Sequence, residues 1–503
     1  MTDRTAQRPR FALATAAFGV FVAADDLLVV STMLRPIIGD LGLVLPDDLD
    51  TAAWIVNVYL IAYLAVMPLA GRLSDVFGRR RVFEVSLAIF AVGSLVVPLA
   101  PNLGVFLLGR ALTAVGGGAL VPVALGIAGD HFEGRNRAQA FGLLGAIETL
   151  GWIWGPIYGA LLVRFLSWEW QFYLNLPLAV LGLVLARRHL PQQRVHGTRL
   201  DLLGAGLLTL ALTASSLALL SQAKIQSAGG LDELAGRDST SIPLWLSVSL
   251  GVVGAAGFVW RQRTADPPLL DLSFPAAHHR TAPTAALASN VAFGAALVTA
   301  LVNVPLLINV LESDTGEAAL RSGWSLTALT AAMSVAAYVG GALTGRVGPR
   351  VPTLAGFAIA AFGLSILGQR WEPDTGLTEL MVYLAILGVG LGLAMTPTTT
   401  ALTNAAGAAN TGTAAGLVVV FRMIGFSLGL SALTTYGLRR FTELRSEVEL
   451  PPLTDPSYTE AATAAVRRIT TDALSETFVA AGVVAMVAIV FAVALPGRDH
   501  ESA

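Results

Sequence analysis

Fourteen stretches of about 20 apolar residues, separated by short polar breaks, constrain the fold of this chain more than any other feature. They fall at about residues 11–36, 51–70, 82–100, 103–128, 138–163, 171–187, 201–222, 243–260, 283–310, 322–344, 351–369, 380–403, 414–438 and 477–495. Each has at least the ~17 apolar residues that an α-helix needs to span the hydrocarbon core of a bilayer. Lipid offers no water to the backbone, so such segments must bond their own N–H and C=O groups, as a helix does. Hydrophobic residues make up 54% of the 503, charged ones 13%, and mean hydropathy is +0.68. Soluble domains carry roughly 25% charged residues. The expected fold class is an all-α integral membrane protein with 14 transmembrane helices.

Charge sets the orientation. With both ends inside, the cytoplasmic segments hold 19 arginines and the outer loops ten basic residues, half of them in one long loop before the last helix. This asymmetry agrees with the positive-inside rule and makes both termini cytoplasmic in expectation. Arg4, Arg8 and Arg10 precede an apolar run longer than a signal-peptide core, so it reads as a retained first helix. A net charge of −2 excludes a strongly basic nucleic-acid binder. Cysteine is absent, so there are no disulfides or thiol metal sites. The one lysine, Lys224, follows Ala223, so no Gly-Lys-Ser/Thr phosphate loop exists. No cofactor is expected: the energy comes from an ion gradient, a partner or the substrate gradient. All six histidines fall in predicted cytoplasmic loops or the tail, outside the membrane core. No metal or nucleophile constellation appears, so the chain does not read as an enzyme.

Between the second and third segments stands Gly71-Arg-Leu-Ser-Asp75-Val-Phe-Gly78-Arg79-Arg80-Arg81. Composition alone makes this a basic turn that sets topology. The spacing G-x-L-x-D-x-x-G-R-R resembles the signature loop between helices 2 and 3 of the major facilitator superfamily, a family of secondary transporters. A shift of 270 positions places Gly71, Leu73, Gly78 and Arg80 on Gly341, Leu343, Gly348 and Arg350, while Gly345 stands where Asp75 does. The chain therefore reads as two related halves. The offset leaves two helices between them, giving a bundle of six helices over 1–190, a linker with two extra helices over 191–282 and a second bundle of six over 283–503. Fourteen spans with this insertion look like the drug:proton antiporter branch of the superfamily.

Charges inside a membrane helix are costly and so are functional candidates. They are Asp25 and Asp26 on helix 1, Arg110 on helix 4, Glu148 on helix 5 and Arg422 on helix 13. Asp26 and Arg110 lie at comparable depths, which makes pairing plausible, either as a permanent ion pair or as a carboxylate that binds and releases protons. Glu148 falls near the midplane with no evident partner and reads as a proton carrier. Asp25 points about 100° away from Asp26, toward an outer cavity. The inserted helices are Leu/Ala/Gly-rich without a buried charge.

Around Arg110 the chain resembles the superfamily's helix 4 motif, with Thr113 and Ala114 where Gln and Gly usually stand. Gly151-Trp-Ile-Trp-Gly155-Pro156-Ile-Tyr-Gly159 resembles the antiporter motif of exporters, whose glycines allow close packing and whose proline bends the helix. Asn57, Tyr59, Tyr63, Trp152, Trp154 and Tyr158 are cavity candidates. Asp130, Arg135 and Arg137 can pair with the Asp75 loop; the resemblance implies a cytoplasmic latch of Gly71, Asp75, Gly78, Arg79, Arg80, Asp130 and Arg135.

Residues 439–476 depart from an ordinary drug pump. Phe441, Leu444 and Val448 continue helix 13, and Tyr458, Ala462, Ala465, Ile469 and Ala473 repeat at helical spacing into helix 14, with Asp455 and Pro456 as N-cap and first helical residue. Two paired helices projecting outward are expected here rather than a solvated loop. With Leu-Leu-Gly-Ala-Ile-Glu148-Thr-Leu-Gly151, Gly155-Pro-Ile-Tyr-Gly159 and Val-Val-Val-Phe-Arg422-Met-Ile-Gly425 as well, the chain looks most similar to mycobacterial triacylglyceride exporters. That resemblance implies a lipophilic substrate drawn from membrane lipids and an outer lipid-carrying lipoprotein as partner. A multidrug antiporter and a non-transporting receptor or scaffold are the alternatives.

Overall fold

The computed structural model describes residues 3–43, 49–192, 201, 203–211, 213–214, 244–265, 281–312, 315–407, 410–448 and 458–497. Thirteen long helices lie within them: α1 (Asp3–Asp40), α2 (Leu49–Phe77), α3 (Arg79–Val96), α4 (Leu103–His131), α5 (Gly134–Phe165), α6 (Glu169–His189), α7 (Leu244–Thr264), α8 (Ala282–Leu311), α9 (Thr315–Val347), α10 (Arg350–Arg370), α11 (Leu377–Ala406), α12 (Thr411–Ser446) and α13 (Tyr458–Val493). Residues 203–211 are helical too, within the segment expected at 201–222. Among the described residues there is no strand, and nine helices are long and apolar enough to cross a membrane. The outward faces keep large apolar side chains such as Val335, Val490 and Trp245 exposed, the inverse of a water-facing surface. This is an integral membrane protein.

Much of the packing joins helices that are not neighbours in the chain. Helix α1 lies against α4, α5 and α6, and α3 and α2 both lie against α4. In the second set α8 packs on α12 and α13, α9 on α11, and α10 on α11 and α13. The sets meet where α5 runs along α9 and α11, and where α12 runs along α2 and α4.

The 270-residue repeat acquires a geometric meaning at these seams. Gly78 and Gly348 both turn the chain at positive φ, 90° and 78°, a conformation that side chains with a Cβ seldom adopt. Gly71 lies so close to Gly412 on α12 that any Cβ would overlap its carbonyl oxygen, and Gly341 lies likewise against Ala138 and Gly142 on α5. Related positions thus make related contacts with the opposite set.

The inserted segment corrects one expectation. Asp201 is buried; it accepts from the backbone N–H of Gly204 at 3.0 Å and pairs with Arg261 of α7 at 2.9 Å. This ion pair joins the ends of the two inserted stretches, and Gly254 and Gly257 of α7 seat Ala211 and Leu207 alongside.

Helices α12 and α13 have 36 residues each, about 54 Å at ~1.5 Å per residue and well beyond the hydrocarbon thickness. Arg440 on α12 grips both carboxylate oxygens of Glu476 on α13 at 2.9 and 2.8 Å, and the Tyr436 hydroxyl donates to Glu476 at 3.1 Å. The guanidinium of Arg467 caps α8 by donating to the Leu311 carbonyl. Along α13, burial rises from Tyr458 and Ala462, half-buried, to Ile469 and Ala473, buried. The expected N-cap at Asp455 and Pro456 lies outside the described residues.

Candidate functional site

At the end of the bundle that carries the Gly71–Arg81 loop (the loop end), Asp75 faces α12. Its carboxylate accepts from the backbone N–H groups of Gly412 and Thr413 at 3.3 and 3.1 Å, and from the Thr413 hydroxyl at 2.8 Å. These N–H groups belong to the first turn of α12, which has no intrahelical acceptor for them and carries the positive end of the helix dipole. Asp75 also pairs with Arg79. Arg79 in turn donates to Asp130 through Nε at 3.0 Å and to the Ser74 hydroxyl at 2.6 Å. Burial alone would pull the Arg79 guanidinium down, but the carboxylates of Asp75 and Asp130 reverse this and raise it above its ordinary value.

More bonds reach across the seam. Arg72 donates to Asn410 at 3.3 Å, and Arg137 to Asn404 at 3.4 Å and Thr411 at 3.1 Å. Arg137 is lowered by burial, against the pull of Asp130 and Glu133. Arg80 stays on its own side, bonded to Glu84 at 2.8 Å and to the Leu190 carbonyl at 3.5 Å. Arg135 differs from expectation: its stem lies on Gly345, where a Cβ would come within 2.6 Å of Arg135 Cγ. The absence of a carboxylate at 345 therefore has a steric reason. The first turn of α5 already fills the space that Asp75 occupies in the related seam.

Deeper in, two buried ion pairs stand at different places. Arg110, 1% exposed, donates to Asp26 at 3.2 Å, and the amide of Asn175 on α6 donates to the other Asp26 oxygen at 3.2 Å. The Arg110 guanidinium lies 4.2 Å above the Tyr59 ring, which stacks on Tyr63 with centroids 5.7 Å apart. This pair lies wholly within α1, α4 and α6. The second pair is the partner that Glu148 was expected to lack: Arg422 of α12 places Nη1 3.5 Å from its carboxylate and rests 5.1 Å over the Phe293 ring. The two residues are 274 apart in the chain and belong to opposite sets, so this contact spans the seam at depth.

Asp25 does not face an open cavity. It is buried and accepts from the amide of Gln171 on α6 at 3.3 Å, and its other oxygen has no hydrogen-bond partner among the described residues. The antiporter-motif glycines explain its confinement: Cβ atoms would stand 2.6 Å from Ala24 at Gly151 and 2.7 Å from the Asp25 carbonyl at Gly155. They let α5 lie directly on α1. Gly159 is buried on the same helix, and the side chain of Pro156 lies outside the described residues.

The cavity candidates divide. Tyr59, Tyr63 and Trp152 are buried, Asn57 is half-buried, and Trp154, 49% exposed, stacks on Tyr158 at 6.1 Å. Sequence reasoning missed Gln171 and Asn175, each bonded to one of the two aspartates. Their signal was present: two amides spaced i, i+4 on the membrane helix α6.

A helical membrane protein with two seam-related sets, a latched loop end and charges buried at depth is built as a secondary transporter. The sequence profile of the Major Facilitator Superfamily matches residues 16–430. A triacylglyceride transporter of Mycolicibacterium smegmatis is 37% identical over 449 residues, covering 86% of this chain and 76% of its own. A triacylglyceride transporter of Mycobacterium tuberculosis is 35% identical over 463 residues, covering 88% and 86%. Among solved structures, a proton:xylose symporter of the superfamily has the same fold, with a TM-score of 0.61 at 12% identity over 97% of this chain and 95% of that one. The chain belongs to the Major Facilitator Superfamily.

Proposed function

We propose that the chain is a proton-coupled transporter that exports lipophilic molecules, lipids such as triacylglycerides, by alternating access. In this reading it has fourteen transmembrane helices, six over 1–190, two inserted over 191–282 and six over 283–503. The termini and the loop end face the cytoplasm of a bacterial cell, and the arms over 439–476 face outward. The likeness to the Mycolicibacterium smegmatis triacylglyceride transporter over 86% of this chain carries the assignment of substrate class.

The arrangement supports the roles. The Asp75, Arg79 and Asp130 network closes the loop end, and breaking it frees the two sets to rock apart. Glu148 is the coupling carboxylate. Protonation removes its attraction to Arg422 and so loosens the one buried ion pair described here that spans the seam. Asp26 and Asp25 are secondary proton sites, held by Arg110 and Asn175 and by Gln171. The stapled arms of α12 and α13 guide a lipid away from the membrane toward a carrier such as a lipoprotein.

The arms separate this reading from a multidrug:proton antiporter of the same fold. A lipid crossing bare water exposes its chains at ~0.8 kcal/mol per CH₂, whereas an amphiphilic drug needs no guide. Replacing residues 442–472 by a flexible turn is therefore expected to cut export of a triacylglyceride sharply and leave efflux of ethidium unchanged. Both are measured in one shortened protein at matched expression. Loss of neither activity favours the multidrug reading; equal loss of both makes the arms part of the transport cycle.

A further inference from the structure

A small cavity of about 20 Å³ opens beside the Glu148–Arg422 pair. Its walls include Leu144 and Glu148 of α5, Val419 and Arg422 of α12, and Thr396 and Thr399 of α11. Leu144 and Val419 precede Glu148 and Arg422 on helices that rise from the loop end, so the cavity lies on the loop-end side of the ion pair. Its volume exceeds the roughly 10–15 Å³ that one water needs, and four of its lining side chains are polar.

Those side chains have unused bonding capacity. Nε and Nη1 of Arg422 have no hydrogen-bond partner among the described residues, and the 3.5 Å from Nη1 to Glu148 is too long for a good one. The Thr399 hydroxyl donates to the Met395 carbonyl at 3.1 Å and the Thr396 hydroxyl to the Ala337 carbonyl at 2.9 Å. Each hydroxyl oxygen therefore keeps lone pairs to accept a hydrogen bond from a cavity occupant. An occupant that accepts from Arg422, donates to threonine oxygens and meets a carboxyl group is a water molecule.

We propose that this cavity holds an ordered water that receives the coupling proton from Glu148, and that Thr399, with Thr396, positions it. The inference rests on Glu148 as the coupling carboxylate. When the loop end opens, the Glu148 O–H bond breaks as a third O–H bond forms on the water. The hydronium then passes a proton to entering solvent, and the carboxylate left behind is held by Arg422. The charged and titratable groups around Glu148 are Arg422 on α12 and, within electrostatic reach, Tyr63 on α2. The Asp26–Arg110 pair lies beyond the Tyr59–Tyr63 stack.

The test is infrared spectroscopy of the full chain in nanodiscs of phosphatidylethanolamine and phosphatidylglycerol. The carboxylic C=O band that disappears in Glu148→Gln belongs to Glu148, and its shift on transfer to D₂O times the proton's exchange. Thr399→Val, nearly isosteric, is expected to slow that exchange severalfold, and Thr399→Ser to restore it. Exchange in Thr399→Val at the wild-type rate overturns the water path while leaving Glu148 as the carrier. Equal slowing in Thr399→Ser makes the effect one of packing and also overturns it. If no band disappears in Glu148→Gln between pH 5 and 9, Glu148 carries no proton and the reading of its role falls as well.

Discussion

At the residue scale, charge burial decides what each substitution does. Arg422 is 2% exposed against Glu148, and removing one member of a buried pair costs about 3–5 kcal/mol because the other charge is left uncompensated. Arg422→Ala is therefore expected to lower the melting temperature of the purified protein strongly, while Arg422→Ala with Glu148→Gln recovers most of the loss. Similar melting of single and double variants would show that the pair is not coupled. Asp75→Asn behaves differently. It keeps the shape and can still accept from Gly412 and Thr413, but it loses the attraction to Arg79 and to the α12 dipole. Folding should survive and transport should nearly cease; wild-type transport rates in a well-folded Asp75→Asn protein refute the latch. That Asp25, Asp26, Arg110, Glu148 and Arg422 are buried was legible in the sequence, because a charge inside an apolar run stands out, whereas buried Asp201 at the edge of its run was not. The partnership of Glu148 with Arg422 was not, since it depends on how helices 274 residues apart come to lie together. The neutral amides Gln171 and Asn175 were missed because an amide in a membrane helix is as easily read as interhelical glue.

At the element scale, small residues set how closely helices approach. The glycine spacing of α5 was legible, and so was the repeat that relates Gly71 to Gly341. What each glycine faces came only from the fold: Gly151 and Gly155 seat Ala24 and Asp25, and Gly345 makes room for Arg135. Gly155→Leu must push α5 off α1 at the Asp25 carbonyl, 2.7 Å from the new Cβ, a strain of about 1–3 kcal/mol. Gly206, in the helical stretch 203–211, has nothing within 4 Å of an added Cβ, so Gly206→Ala should be neutral or slightly stabilising through helix propensity. The comparison is thermal melting of both variants in the same detergent; equal melting points would remove the steric account of the α1–α5 contact. That α12 runs on to Ser446 and α13 starts at Tyr458 agrees with the apolar periodicity of those residues. The Arg440–Glu476 grip and the Arg467 cap on α8 were hidden, because polar residues on an exposed arm do not announce their partners.

At the scale of the whole molecule, the cross-seam hydrogen bonds of Asp75, Arg72 and Arg137 all sit at the loop end, and Glu148–Arg422 closes the seam at depth. Alternating access then requires these contacts to break together, because the packed sets move as bodies rather than bending. A covalent bond across the seam should arrest that motion reversibly. Arg135 and Gly345 are suited to it: a Cβ at 345 stands 3.0 Å from the Arg135 Cβ, near the ~3.8 Å typical of a disulfide, so a small shift of α9 accommodates the bond. The chain contains no cysteine, so Arg135→Cys with Gly345→Cys introduces the only two thiols. Under oxidation this double variant is expected to cross-link α5 to α9 in the resting state and stop transport, and a reductant should restore it. The Arg135→Cys single variant should transport under both conditions. Transport that continues through a fully formed cross-link would mean that this seam need not open, and the cycle would have to be built on movement elsewhere in the bundle.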